Sequence, residues 1–325
     1  MAPALCHLLK GRHAAALTIA VVLALACCMA AANEPTDAPI AILIEADTGN
    51  VLFERRSAEP FPPGSMSKLM TLAVVFRALK SGAIDRNVGV TVSENAWRKG
   101  GAMARGPSMF LPLGGKASID ELVRGTAIVY ANDGAIALAE GISGSEDAFV
   151  KAMNDEATTL GLQKSTFTNA TGIYDPHHQM SARDLVLLAG HIVKEFPDHY
   201  AVFAQQESTS NKVPLINRNP LLGTHLGADG LVTGYVEGSG YGIVFSAVRN
   251  RRRLIGMVMG LKSREERTYE ASRLLAYGFE DVELKAPPAD KEASNKQPEH
   301  GQATQFECRN YFPGAGVVLA VPCME

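Results

Sequence analysis

Short β-like runs stand at both ends of the main body of this sequence, and nearly all of its helical patterning is enclosed between them. Ile40 to Ala46 (IAILIEA) reads as a strand, Asp47-Thr48-Gly49-Asn50 supplies a turn, and Val51 to Glu54 returns as the second arm of a hairpin. Pro62-Pro63-Gly64 then breaks the chain before a helical pattern from Ser65 through Lys80, which Gly82 ends. Helical spacing recurs over Ile119 to Ala127, Asn132 to Gly141, Ser145 to Gly161 and Ala182 to Glu195. After Gly227 the pattern changes. Leu231 to Val236, Gly242 to Val248 and Arg253 to Gly260 are β-rich runs between Gly-rich or charged turns, and Glu265 to Phe279 closes as a helix with Leu274, Leu275 and Phe279 on its apolar stripe. Such an order predicts an α+β domain in which the first and last strands share one antiparallel sheet, flanked by helices and carrying a helical subdomain. With 46% hydrophobic residues the chain has material for a sizeable core.

The first 32 residues stand apart. Lys10 and Arg12 form a basic start, Ala14 to Ala26 an apolar run, and Ala30-Ala31-Ala32 a small-residue cleavage site before Asn33. These are the parts of a secretory signal peptide, and export places the mature chain in the periplasm. A retained N-terminal anchor is the alternative, but the run is shorter than the roughly 20 residues that span a bilayer. Ala24 three before Cys27, and a Cys before Cys28, argue against a lipoprotein. Cys6, Cys27 and Cys28 fall in this segment. That leaves Cys308 and Cys323 as one pair that an oxidising compartment would let bridge. Residues 33–284 read as the folded domain, and 285–305, rich in Pro, Ala, Lys, Glu, Asn and Gln, as a disordered linker. Residues 306–325 form a short tail whose Val317 to Val321 run reads as an added strand or a small lid. No basic amphipathic stretch there predicts a stable membrane anchor. The balance of 31 basic against 34 acidic residues gives no reason to expect nucleic acid as a partner.

Chemistry concentrates at Pro63-Gly64-Ser65-Met66-Ser67-Lys68. A lysine three residues after a serine, at a helix start, shares a face with it. A serine hydroxyl needs a base to take its proton, and a neutral amine can be that base. The helix N-terminus opposes protonation of the amine and offers N–H groups to an oxyanion. Alone the motif is weak, because about one chance S-x-x-K is expected in a protein of this size.

Ordered segments along the chain supply its context. They are the Asp47-Thr48-Gly49 turn, PPGSMSKLMT from Pro62 to Thr71, Val92 to Trp97 with Gly100-Gly101, and Ser108 to Leu111. Asn132-Asp133 with Ala137 to Glu140, Asn169 to Gly172, Ser181 to Asp184, Asn217-Arg218-Asn219, Gly227 to Leu231 and Leu274 to Phe279 follow. Through these segments the chain, from about Ile40 to Phe279, resembles the D-alanyl-D-alanine carboxypeptidases. These are the low-molecular-mass penicillin-binding proteins of serine peptidase family S11. The resemblance implies the β-lactamase/transpeptidase-like fold and, as substrate, the D-Ala-D-Ala terminus of peptidoglycan stem peptides. It also implies β-lactams as covalent inhibitors, with no cofactor and no metal. Ser65 is then the nucleophile and Lys68 its base. Asn132 orients the substrate amide and the lysine, and Thr233 and Gly234 lie on a strand edge that an extended peptide can join. The backbone N–H groups of Ser65 and Tyr235 form the oxyanion hole, and Arg267 binds the terminal carboxylate.

Two motifs depart from the family pattern. Where the second is normally Ser-x-Asn, this chain has Tyr130-Ala131-Asn132, whose phenol can still relay a proton. Where the third is normally Lys-Thr-Gly or His-Thr-Gly, it has Val232-Thr233-Gly234. The missing cation would attract the carboxylate and help keep Lys68 neutral. Its loss costs on the order of 1.5–3 kcal/mol, or about one to two decades in rate. Two readings follow: an active carboxypeptidase, or a weakened or inactive homologue that binds stem peptides or a wall-remodelling partner. A β-lactamase or esterase ranks lower, since the matching segments extend beyond the motifs those enzymes share. His177 and His178 read as loop surface rather than metal ligands, Asp184 as a first-turn carboxylate on a helix dipole, and Arg251 to Arg253 as a hairpin tip.

Overall fold

The computed structural model describes residues 34–280, apart from 105 and 225, and the backbone of two short strands near the C-terminus. β1 (Ile40–Glu45) turns back as β2 (Val51–Arg55), and β3 (Pro60–Phe61) leads into α1 (Lys68–Lys80). β4 (Gly89–Thr91) and β5 (Lys116–Ser118) pair before α2 (Ile119–Ile128), α3 (Asn132–Ser143) and α4 (Glu146–Thr159). β6 (Met180–Ser181) pairs with β3 and opens into α5 (Ala182–Glu195). A hairpin of β7 (Glu207–Ser210) and β8 (Val213–Ile216) precedes the meander β9 (Ala228–Val236), β10 (Gly240–Arg249) and β11 (Arg252–Leu261), and α6 (Arg264–Gly278) follows. Beyond the domain, Glu307–Phe312 and Val317–Pro322 pair as an antiparallel hairpin of their own, so the Val317 run is a strand. The expected signal segment, the expected linker and the expected pairing of Cys308 with Cys323 lie outside the described residues.

The main sheet has the order β2-β1-β11-β10-β9, all antiparallel, so the first long strand pairs with the last, as the sequence order predicts. β1 is apolar at nearly every position because both faces are covered. Ile40, Ile42 and Ile44 join the core that holds α1, while Ala41 and Leu43 join a second core under α6. β11 repeats the alternation, with Ile255, Met257 and Met259 on one side and Leu254 and Val258 on the other. The fold is therefore α+β, an antiparallel sheet between α6 on one face and the helical body on the other.

α1 is buried from Lys68 to Phe76 without a polar stripe, because it runs through the middle of the helical body against α2, α3, α4 and α5. Starts of the outer helices are written in the sequence. Ser118 caps α2 in a reciprocal box with Glu121, Ser181 caps α5, and Ser263 caps α6. The Arg251 region is a hairpin tip, with Asn250 and Arg251 both at positive φ. Arg253, however, turns inward to Asp229 at 2.8 Å.

Candidate active site

Pro63 and Gly64 set Ser65 in a tight helical turn, Gly64–Ser67, that runs straight into α1. Ser65 and Lys68 thus share one side of the helix start. Lys68 is 0% exposed. Its Nζ stands 3.3 Å from Ser65 Oγ, donates to Asn132 Oδ1 at 2.7 Å, and donates to the Thr171 carbonyl. Burial pushes this lysine down to about 7, Arg218 pushes the same way, and the buried Asp133 opposes them. At neutral pH a large fraction of the amine is therefore deprotonated while it faces a hydroxyl.

Each partner of Lys68 is held by its own local device. Asn132 is the first residue of α3, and its N–H donates to the Pro107 carbonyl at 2.7 Å. Just before it, Tyr130 takes a left-handed φ of 61°, which costs about 1–2 kcal/mol for a residue with a Cβ. The turn is fixed by the Ala131 N–H on the Gly125 carbonyl. Asp133 accepts from Ser108 Oγ at 2.7 Å and from the N–H groups of Met109 and Leu111, tying the 108–111 segment to the helix start. Its burial keeps it above the usual carboxylate range even so. The Thr171 carbonyl is aimed by Asn169, whose Oδ1 accepts from the N–H groups of Thr171 and Gly172 and from Thr171 Oγ1. Gly172 has φ +75°, and a Cβ there would run into the Gly64 carbonyl and lie 2.5 Å from Ser67 Oγ. Only glycine lets this loop close on the serine turn.

β9 forms the other wall and is the edge strand of the sheet. It abuts the serine turn directly: a Cβ at Gly234 would stand 2.7 Å from the Pro63 carbonyl, and one at Gly64 would stand 3.0 Å from the Tyr235 carbonyl. Thr233 is buried and faces the Tyr130 hydroxyl. That hydroxyl completes no hydrogen bond of good geometry, and burial pushes it up to about 12. Tyr235 is exposed, its ring 4.5 Å from that of Tyr241. Val232 is 0% exposed, shares the helical-side core with Met66 and Tyr130, and pairs across the sheet with Val244. On α6, Arg267 is 7% exposed and its Nε is buried without a partner. Burial disfavours its charge, while the nearby Tyr130 favours it.

The structure thus gathers Ser65, Lys68 and Asn132 through direct contacts, and Tyr130, Thr233 and Arg267 beside them. Sequence reasoning missed the Thr171 carbonyl and its Asn169 turn, whose signal was the Asn-x-x-Gly spacing. It also missed Arg218 as a charge acting on Lys68. One expectation is corrected. His177 is exposed, but His178 is buried, edge-on to Phe167, with Nδ1 accepting from the Thr168 N–H at 3.2 Å. Burial pushes it down to about 4, so it is a neutral interior imidazole and not loop surface. Asp184 does lie in the first turn of α5, and it also accepts from Lys164 N–H and Ser165 Oγ, tying down the loop before β6.

A serine and a buried amine at a helix mouth, beside an open sheet edge, define the site. The fold around them is that of penicillin-binding proteins. The structure superposes on penicillin binding protein 5 of Haemophilus influenzae with a TM-score of 0.73 and 35% identity, over 75% of this chain and 71% of that one. For penicillin binding protein 6B of Escherichia coli the values are 0.71 and 36%, over 74% and 77%. The D-alanyl-D-alanine carboxypeptidase DacC of Escherichia coli is 39% identical over 253 residues, 77% of this chain and 63% of that protein. Residues 28–263 match the D-alanyl-D-alanine carboxypeptidase family, and the chain belongs to it. It spans less than two thirds of the length of curated relatives it matches, 63% and 66%. Among the described residues no helix is long and apolar enough to cross a membrane.

Proposed function

We propose that this chain is a serine D-Ala-D-Ala carboxypeptidase that trims peptidoglycan stem peptides through an acyl-enzyme on Ser65. The observation that carries the reading is the Lys68 amine, fully buried, 3.3 Å from Ser65 Oγ and about half neutral near pH 7. In the reaction Lys68 accepts the Ser65 proton as Oγ attacks the penultimate D-Ala carbonyl. Negative charge on the carbonyl oxygen is met by the N–H groups of Ser65 and Tyr235. Collapse breaks the peptide bond, and the leaving D-Ala nitrogen receives the proton from Lys68, with the Tyr130 hydroxyl beside the path. Water, deprotonated by the same amine, then cleaves the ester and restores Ser65. Asn132 holds Lys68 and the substrate amide, the Thr233–Tyr235 edge pairs with the extended peptide, and the Arg267 fork receives the terminal carboxylate. A β-lactam follows the same first step and stops at the ester, as the names of the penicillin-binding relatives suggest. The first 32 residues act as an export signal, the site works in the periplasm, and residues 285–305 link the domain to a tail closed by Cys308 and Cys323.

Val232 favours a second reading, a homologue that binds stem peptides with little turnover, because the position holds no cation. Release of D-Ala from a synthetic pentapeptide ending in D-Ala-D-Ala separates the two. The enzyme reading expects release that Ser65→Ala abolishes. Folded protein that binds the peptide and releases no D-Ala would select the second.

A further inference from the structure

Asn132 Oδ1 and the Thr171 carbonyl both accept from the Lys68 ammonium. Asn132 stands on a helix, whereas Thr171 stands in a loop that has to be held from outside. The Asn169 side chain shapes that loop through bonds that stay within it. Two hydrogen bonds of the preceding residue, the buried Ala170, fix it to the helices. The Ala170 carbonyl accepts from Thr71 Oγ1 on α1 at 2.7 Å, and the Ala170 N–H donates to Glu146 Oε1 in the first turn of α4 at 3.2 Å. Glu146 is itself held in an arrangement that costs something. Asn95 Nδ2 donates to Glu146 Oε2 at 3.3 Å and also to Glu140 Oε1 at 2.9 Å, so two carboxylates converge on one amide. The α4 N-terminus and the Lys99 ammonium, 4.0 Å from Glu146 Oε2, offset part of the repulsion. Lys99 is well exposed, so its share is small. The arrangement accepts that repulsion and puts one oxygen on the Ala170 N–H. Asn95 and Lys99 flank and belong to the turn Ala96–Gly100, which packs on the start of α3, where a Cβ at Gly100 would run into the Asp133 N–H. One carboxylate thus touches both the loop that carries Thr171 and the segment that backs Asn132.

We propose that Glu146 is a positioning residue for the base: with Thr71 it clamps the Ala170 peptide, so that the next carbonyl, Thr171, receives the Lys68 ammonium and keeps the amine against Ser65 Oγ. Glu146 acts through the loop, without a hydrogen bond to Lys68 itself. The inference rests on the carboxypeptidase reading for its use in catalysis, while the clamp stands on the hydrogen bonds alone. A loop carbonyl orients a side chain only as well as the loop is held, because a hydrogen bond weakens steeply once distance and angle drift. If Ala170 loses its hold on α4, the Thr171 carbonyl moves off the ammonium. The charged form of Lys68 then loses an acceptor, which lowers its midpoint, and the amine is freer to turn away from Ser65. Removing the clamp therefore has two signatures, a lower Lys68 midpoint and slower acylation on the alkaline plateau where the amine is already neutral. Loss of stability alone gives neither.

The test reads Lys68 by NMR titration of its 13Cε resonance, assigned by its loss in Lys68→Arg, beside the rate of acylation by a fluorescent penicillin on the plateau. In Glu146→Ala the midpoint should fall by about half a unit or more, and the plateau rate by about tenfold. Deleting any nearby carboxylate would also lower a lysine, so two further variants separate charge from hold. Glu146→Gln loses the charge but keeps an oxygen for the Ala170 N–H, and should retain the original midpoint. Glu146→Asp keeps the charge but falls a methylene short of Ala170, and should shift as Glu146→Ala does. The other ionisable groups that act on Lys68, Asp133 on α3 and Arg218 in the 217–219 loop, and His178 before β6, are the same in every variant. A midpoint unmoved in folded Glu146→Ala overturns the proposal. So does a Glu146→Gln midpoint that falls as far as that of Glu146→Asp or further, a comparison that carries the test if Glu146→Ala does not fold. The midpoints require no turnover. An unaltered protein that is never acylated, with midpoints that shift as described, would count against the proposed function and not against the clamp.

Discussion

If Lys68 must be neutral to take the Ser65 proton, the rate of acylation follows its titration. Burial and Arg218 place that titration at about 7 instead of the ordinary 10.5. The neutral fraction is then about 3% at pH 5.5 and about 97% at pH 8.5, so the acylation constant should rise roughly 30-fold between them. Below pH 6 the slope should approach one decade per unit, and above pH 8 the curve should level. An unperturbed lysine would be neutral in only about one molecule in 3,000 at pH 7, and its rate would still be climbing tenfold per unit at pH 9. Stopped-flow reaction with a fluorescent penicillin across this range, with circular dichroism at each pH to confirm folding, gives the curve. A profile still climbing at pH 9.5, or one flat from 5 to 9, would refute the claim that a depressed Lys68 is the base.

Three further outcomes follow from the same contacts. Asn132→Ala removes the 2.7 Å acceptor of the Lys68 ammonium, so acylation should slow by about 10- to 100-fold while the acid limb moves down in pH; a limb that moves up would contradict the assignment. Gly172→Ala places a Cβ against the Gly64 carbonyl at φ +75°, and chemical denaturation should show a loss of about 2 kcal/mol or more; unchanged stability would mean the loop closes without that contact. Arg267→Ala should raise KM for a D-Ala-D-Ala peptide by about tenfold or more, measured by D-Ala release, and an unchanged KM would place the carboxylate elsewhere.

Period and punctuation carried most of the fold. The apolar run of Ile40 to Ala46 with its turn, the β-rich runs after Gly227 and the helical spacing from Ser65 to Lys80 all read directly as elements. The closure of β1 on β11 followed from their order along the chain. Less legible were short pairings with no pattern of their own, such as β3 with β6, two residues each. The β7–β8 hairpin also escaped, because its first arm is polar, Pro214 interrupts its second, and it turns on Asn211 and Lys212, both at positive φ, without a glycine. At the site, the local pair Ser65 and Lys68 was visible because a spacing of three residues at a helix start puts the two side chains on one face. The Thr171 carbonyl, which lies 103 residues from Lys68 along the chain, has no residue-type signature, since any residue offers a carbonyl. Resemblance marked Asn169 to Gly172 and Arg218 as ordered matches without saying what they touch. His178 misled for a related reason: a histidine in a Pro-containing polar loop looks solvated until Phe167 covers it.

A covalent bond at Ser65 is the central claim. Intact-mass spectrometry of the mature protein after brief exposure to benzylpenicillin, followed by peptide mapping, tests it most directly. The account predicts one drug mass added per chain, located on the peptide containing Ser65 and absent in Ser65→Ala. A folded protein that gains no mass, or gains it on another residue, would contradict it.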